Sequence, residues 1–84
     1  MNTLLVTGAA GFIGSNFVYY MLDRHPDLFV IGLDALTYAG NLETLAPAME
    51  NDRFHFVKAD ITDRKAVFSL FDEMPIDAVV NFAA

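Results

Sequence analysis

Three glycines at fixed intervals, Gly8, Gly11 and Gly14, and an acidic residue twenty positions further on, Asp34, are the residues whose types and spacing could do chemistry. The run Thr7-Gly8-Ala9-Ala10-Gly11-Phe12-Ile13-Gly14 starts where an apolar, β-branched stretch ends and runs into a pattern of helical period. A glycine inside a regular element costs about 0.5–1 kcal/mol relative to alanine, so this density of glycine needs a compensating use. A dinucleotide provides one. Gly8 would permit a tight turn, Gly11 would let the backbone approach a pyrophosphate with no Cβ in the way, and Gly14 would let the helix lie close on a sheet. The helix N-terminus would add unpaired N–H groups and a partial positive charge. A strand-to-helix turn that binds nothing is the alternative. A Walker-type phosphate loop does not fit, because no Lys-Ser or Lys-Thr pair follows the glycines.

Asp34 sharpens the reading. It closes a second apolar stretch, at the distance from the glycines where an acid can accept hydrogen bonds from an adenosine ribose. A carboxylate there would repel a 2′-phosphate, and Ala35-Leu36-Thr37-Tyr38 contains no Lys or Arg to neutralise one. NAD is therefore expected rather than NADP. The alternative for Asp34 is a surface turn residue.

These groups need elements to position them. Four short apolar runs stand out, at 3–7, 28–33, 54–57 and 78–82, and they are continuous rather than alternating, as in parallel strands covered on both faces. Ile13, Phe17, Tyr20 and Met21 follow a helical period that should stop at His25, because Pro26 disfavours helical backbone in the residue before it. Val67, Leu70, Phe71 and Met74 repeat the period, with Thr62 or Asp63 as the cap and Pro75 as the stop. A weaker helical stretch, 41–50, is interrupted by Pro47. The alternation β-α-β-α-β-α-β predicts an α/β, doubly wound parallel sheet of Rossmann type in strand order 3-2-1-4.

Composition bounds the rest. A chain of 84 residues buries barely enough apolar surface to offset its ordering entropy, yet 55% of its residues are hydrophobic. It reads as one piece of a larger domain, its fourth strand left as a bare edge. The net charge of −6 argues against nucleic acid or an anionic membrane as a partner. The absence of cysteine excludes a disulfide framework and thiol chemistry and is compatible with a cytoplasmic location. Residues 1–22 carry no charged side chain, but they lack a basic leader and are broken by glycines and polar residues, so no membrane segment is expected. His25 and His55 lack carboxylate companions at ligand spacing, so no metal site is expected. Phe54 and Phe56 read as core rather than as a stacking platform.

The chain also resembles a known family. Gly8-Ala9-Ala10-Gly11-Phe12-Ile13-Gly14-Ser15 is similar to the GxxGxxG signature of the extended short-chain dehydrogenases/reductases, in their nucleotide-sugar-modifying branch. Asp34-Ala35-Leu36-Thr37-Tyr38-Ala39-Gly40-Asn41 resembles a segment of the dTDP-glucose 4,6-dehydratase group within that branch. Lys58-Ala59-Asp60-Ile61-Thr62-Asp63 and Asn81-Phe82-Ala83-Ala84 resemble the branch's motifs after the third and fourth strands. The resemblance implies that Phe12 and Ile13 give backbone N–H groups to the pyrophosphate. It implies that Asp34 holds the ribose, that Ala35, Leu36 and Thr37 line the adenosine side, and that Gly40 lies nearby. Asp60 and Ile61 would contact the adenine, the acid accepting from its exocyclic amine. Phe82, Ala83 and Ala84 would pass beneath the nicotinamide half.

For the parent, the resemblance implies conversion of dTDP-glucose to dTDP-4-keto-6-deoxyglucose and water with NAD transiently reduced, by a cytoplasmic homodimer. Residues 1–84 would form the N-terminal part of its NAD-binding domain. The family's catalytic Tyr-x-x-x-Lys pair has no counterpart at Tyr19, Tyr20 or Tyr38, so no catalytic residue and no substrate domain is expected within the chain. A fragment of another NAD-dependent sugar-nucleotide epimerase or decarboxylase, or a stand-alone NAD-binding module, are the other readings.

Overall fold

The computed structural model describes residues 2–36 and 42–82. Four strands, β1 (Asn2–Thr7), β2 (Leu28–Asp34), β3 (Phe54–Lys58) and β4 (Ala78–Asn81), form one sheet in the order β3-β2-β1-β4. Every pairing is parallel, with Leu4 opposite Val30 on one side and Ala78 on the other. The expected order and alternation hold. Between the strands lie α1 (Phe12–Arg24), a one-turn 3-10 segment (Leu42–Leu45) running into the short α2 (Ala46–Met49), and α3 (Arg64–Glu73).

Side-chain alternation sorts the strands onto two cores. Leu4, Val6, Leu28, Val30 and Phe54 face α1 and α2, where they meet Val18, Leu22, Leu45 and Ala48. Leu5, Ile31 and Leu33 face the other way and meet Leu70 of α3, flanked by Val57, Val67 and Met74. Helices thus cover both faces over β1 and β2. β4 departs from the expectation: only Val80 is partly buried, and Val79 is 48% exposed. Its bare outer edge, by contrast, is as expected, since it pairs with β1 alone.

The helix ends follow the sequence signals. α1 stops at Arg24, with His25 as its C-cap before Pro26. Asp63, of the two candidate caps, receives the Ala66 N–H at 3.2 Å and starts α3, which stops at Glu73 ahead of Pro75. Pro47 does not interrupt a helix. It sits in the first turn of α2, where a missing N–H costs nothing.

The inner faces of α1 and α3 differ from the periodic reading. On α1 the buried residues are Gly14, Ser15, Val18 and Leu22, whereas Ile13 and Tyr20, expected inside, are 65% and 54% exposed. Gly14 sets this phase. A Cβ built on it would lie 2.1 Å from the Gly8 carbonyl oxygen, so the helix rests on the turn through a bare backbone. On α3, Leu70 is buried while Phe71, expected inside, is 45% exposed. No described helix is long and apolar enough to cross a membrane.

Candidate functional site

Parallel strands bring all their carboxyl ends to one edge, and the described residues among those singled out from sequence gather there. Gly8 follows β1, Asp34 ends β2, Asp60 lies two residues past β3, and Phe82 lies one past β4. The strand order reverses between β1 and β4, because the chain leaves β3 at one edge and re-enters beyond β1. A crevice at such a reversal is where α/β sheets bind ligands.

The glycine turn is built as its residue types require. Gly8 has φ 72°, a left-handed conformation that glycine adopts without steric cost. Its N–H donates to the Leu33 carbonyl at 2.8 Å, tying the turn to β2. Gly11, the N-cap of α1, has φ −72° and ψ 169°, a conformation open to any residue, so conformation does not explain its glycine. Among the described residues no side chain caps the helix and no acid lies in its first turn, so no such group there covers the N–H groups of Phe12, Ile13 and Gly14. The Phe12 and Ile13 side chains flank these groups, 83% and 65% exposed.

Asp34 is no surface turn residue: it is 2% exposed. It follows Val30 and Gly32 on the face of β2 that the glycine turn covers, so its carboxylate aims at the turn. Oδ2 accepts the Ala10 N–H at 2.9 Å and Oδ1 accepts the Leu36 N–H at 2.8 Å. Leu36 has φ 59°, and a side-chain-bearing residue there costs roughly 1–2 kcal/mol, which the Asp34 bond and the packing of Leu36 on the α1 core offset. Ala35 is half-buried beside it. Thr37 and Gly40 lie outside the described residues, as do Ala83 and Ala84.

Asp60 is exposed on the turn after β3, joined to Asp34 by the Ala59 N–H, which donates to the Asp34 carbonyl at 3.2 Å. Its Oδ1 accepts the Thr62 N–H at 2.9 Å and the Thr62 hydroxyl at 2.7 Å, and these bonds, the backbone one foremost, hold the carboxyl below its ordinary pKa. Ile61 is 38% exposed beside it. Phe82 donates its N–H to the Thr7 carbonyl at 2.9 Å, and its ring packs edge-on against Phe17 of α1 at 5.3 Å. The Thr7 hydroxyl, fully buried, donates to Asn81 Oδ1 across the β1–β4 gap.

Three structural roles escaped the sequence reading. Ala10 donates its N–H to the Asp34 carboxylate. Thr44, on the 3-10 segment, donates its hydroxyl to the Ala10 carbonyl at 3.0 Å. Gly32 leaves room for the Phe54 ring, which a Cβ would approach to 2.8 Å. Only Gly32 left a local signal, a glycine inside an apolar strand. A cavity of about 280 Å³ between Phe29, Arg53, His55 and Met74 sits at the amino ends of the strands, away from these groups. Among the described residues no cluster of His or acidic side chains could hold a metal ion.

Residues 5–84 match the family model described as GDP-mannose 4,6 dehydratase. The chain is 55% identical over 84 residues to a dTDP-glucose 4,6-dehydratase of Xanthomonas campestris pv. campestris, covering all of this chain and 23% of that protein. It is similar to the crystal structure of a dTDP-glucose 4,6-dehydratase from Bacillus anthracis in complex with NAD, at a TM-score of 0.96 and 42% identity, covering 100% of this chain and 27% of that one. A UDP-Glc/GlcNAc 4-epimerase of Campylobacter jejuni gives a TM-score of 0.88 at 31% identity, covering 100% of this chain and 25% of its own. The chain thus spans about a quarter of the length of the relatives it matches.

Proposed function

The chain belongs to the GDP-mannose 4,6 dehydratase family, and on that premise we propose that it is the N-terminal, NAD-binding part of a dTDP-glucose 4,6-dehydratase. The observation that carries the reading is the glycine turn: Gly8 in a left-handed conformation, the α1 N-terminus with no side-chain cap among the described residues, and the Asp34 carboxylate one strand away.

In this reading the Gly11–Gly14 segment presents the N–H groups of Phe12 and Ile13 to the pyrophosphate, and the positive helix end balances its charge. Asp34 accepts the ribose hydroxyls alongside the two backbone N–H groups it already binds, and its negative charge disfavours a 2′-phosphate. Ala35 and Leu36 flank the adenosine. Asp60 and Ile61 meet the adenine edge; Oδ1 of Asp60 serves Thr62, so its other oxygen faces the amine. Phe82 runs beneath the nicotinamide half. Bound NAD supplies a hydride acceptor for the sugar's C4 and a donor to its C6, once water has left across C5–C6. This chain holds the cofactor. The catalytic side chains and the sugar-nucleotide pocket belong to other parts of a cytoplasmic, homodimeric parent.

The second reading, a 4-epimerase, draws on the fold shared with the Campylobacter enzyme. The higher identity to the dehydratase, and the Asp34–Asn41 segment, favour dehydration. Incubating the intact native polypeptide with dTDP-glucose and NAD separates them. Formation of the 4-keto-6-deoxy product with no net NADH is expected, while accumulation of the 4-epimer would overturn the dehydratase assignment.

A further inference from the structure

The Ala10 peptide is gripped at both ends. Its N–H donates to Asp34 Oδ2 at 2.9 Å, and its carbonyl accepts from Thr44 Oγ1 at 3.0 Å. Ala10 is fully buried and lies between Gly8 and Gly11, where the backbone has most freedom to lose. Thr44 is itself fixed. Its carbonyl takes the Tyr19 hydroxyl from α1, and the next residue, Leu45, is wholly buried in the α1-side core. A turn of glycines and alanines has no side chain with which to hold its own shape. Here the shape is imposed from outside by an acid on β2 and a hydroxyl on the 3-10 segment.

We propose that Thr44 is a positioning residue of the dinucleotide site: its hydroxyl fixes the Ala10 carbonyl so that the turn presents its N–H groups to a diphosphate before the ligand arrives. The inference rests on the dinucleotide reading above and adds to it a residue that touches no ligand. Preorganisation acts by sparing the ligand the entropy of ordering the turn, and one hydrogen bond of this kind corresponds to a change of about five- to tenfold in affinity.

The test is calorimetric titration of the intact native polypeptide with ADP-ribose, using wild type, Thr44→Val and Thr44→Ser. Thr44→Val is expected to bind about five- to tenfold more weakly and Thr44→Ser, which keeps the hydroxyl, within about twofold of wild type. Equal affinity of Thr44→Val and wild type would overturn the proposal. So would equal weakening by Val and Ser, since the hydroxyl would then not be the cause. If Thr44→Val does not fold, Tyr19→Phe decides by the same measure: weaker binding supports the role, and unchanged binding overturns it. Absence of ADP-ribose binding by wild type would instead remove the dinucleotide reading itself.

Discussion

At the scale of single residues, Gly14 and Asp34 shape the same turn from opposite sides. Gly14 acts by having no side chain: the Gly8 carbonyl occupies the space a methyl group would need. Gly14→Ala must therefore push the turn and helix apart. A loss of about 1–3 kcal/mol is expected in a urea melt, together with loss of ADP-ribose binding. A variant as stable as wild type would show that helix and turn are not in contact through this residue. Asp60 gives a pH-dependent counterpart. Its pKa is lowered in the folded chain, so its stabilising bonds are present above the ordinary carboxylate value of 3.8 and are lost as the pH falls through the lower folded value. The difference in thermal midpoint between wild type and Asp60→Ala should thus be present at neutral pH and shrink below 3.8. A pH-independent difference would mean that the charge on Asp60 plays no part in the turn.

At the scale of elements, the sequence was most legible where one interaction decides. Strand positions followed from continuous apolar runs, and the α1 and α3 stops followed from Pro26 and Pro75. Helix phase was not legible on α1, because periodicity counts large apolar residues and cannot see that the smallest residue makes the closest contact. Nor was Arg53, whose guanidinium donates to the carbonyls of Leu22 at 2.9 Å, His25 at 3.0 Å and Leu28 at 2.8 Å. It closes the C-terminal end of α1 onto the start of β2 and places a positive charge at the negative end of the helix. Nothing near Arg53 in sequence marks this, since the carbonyls it serves lie up to 31 positions away. Arg53→Met keeps the aliphatic stem and removes the donors. Its expected cost is about 1.5–3 kcal/mol by chemical denaturation, with faster amide exchange in the last turn of α1. An unchanged denaturation midpoint would contradict the capping role.

At the scale of the whole molecule, four strand ends from distant parts of the sequence meet at one edge of the sheet, and the described candidate residues Gly8, Asp34, Asp60 and Phe82 meet with them. That convergence was legible, since a parallel sheet in this order permits nothing else once the strands are placed. The bonds that hold the turn, from Asp34 to Ala10 and from Thr44 to Ala10, were not, because they join residues 24 and 34 positions apart with no pattern between them. The exposed apolar residues have a logic at this scale too. Phe12 and Ile13 flank the start of α1, and Val79 lies on the bare-edged strand β4. The most direct test of the whole is to titrate NAD into protein labelled with 15N-glycine and follow the amides of Gly8, Gly11, Gly14 and Gly32. Large shifts at Gly11 and Gly14, with Gly32 in the middle of β2 unmoved, are the predicted result. Glycine-turn amides that stay in place while NAD binds would mean that the diphosphate does not sit on the start of α1.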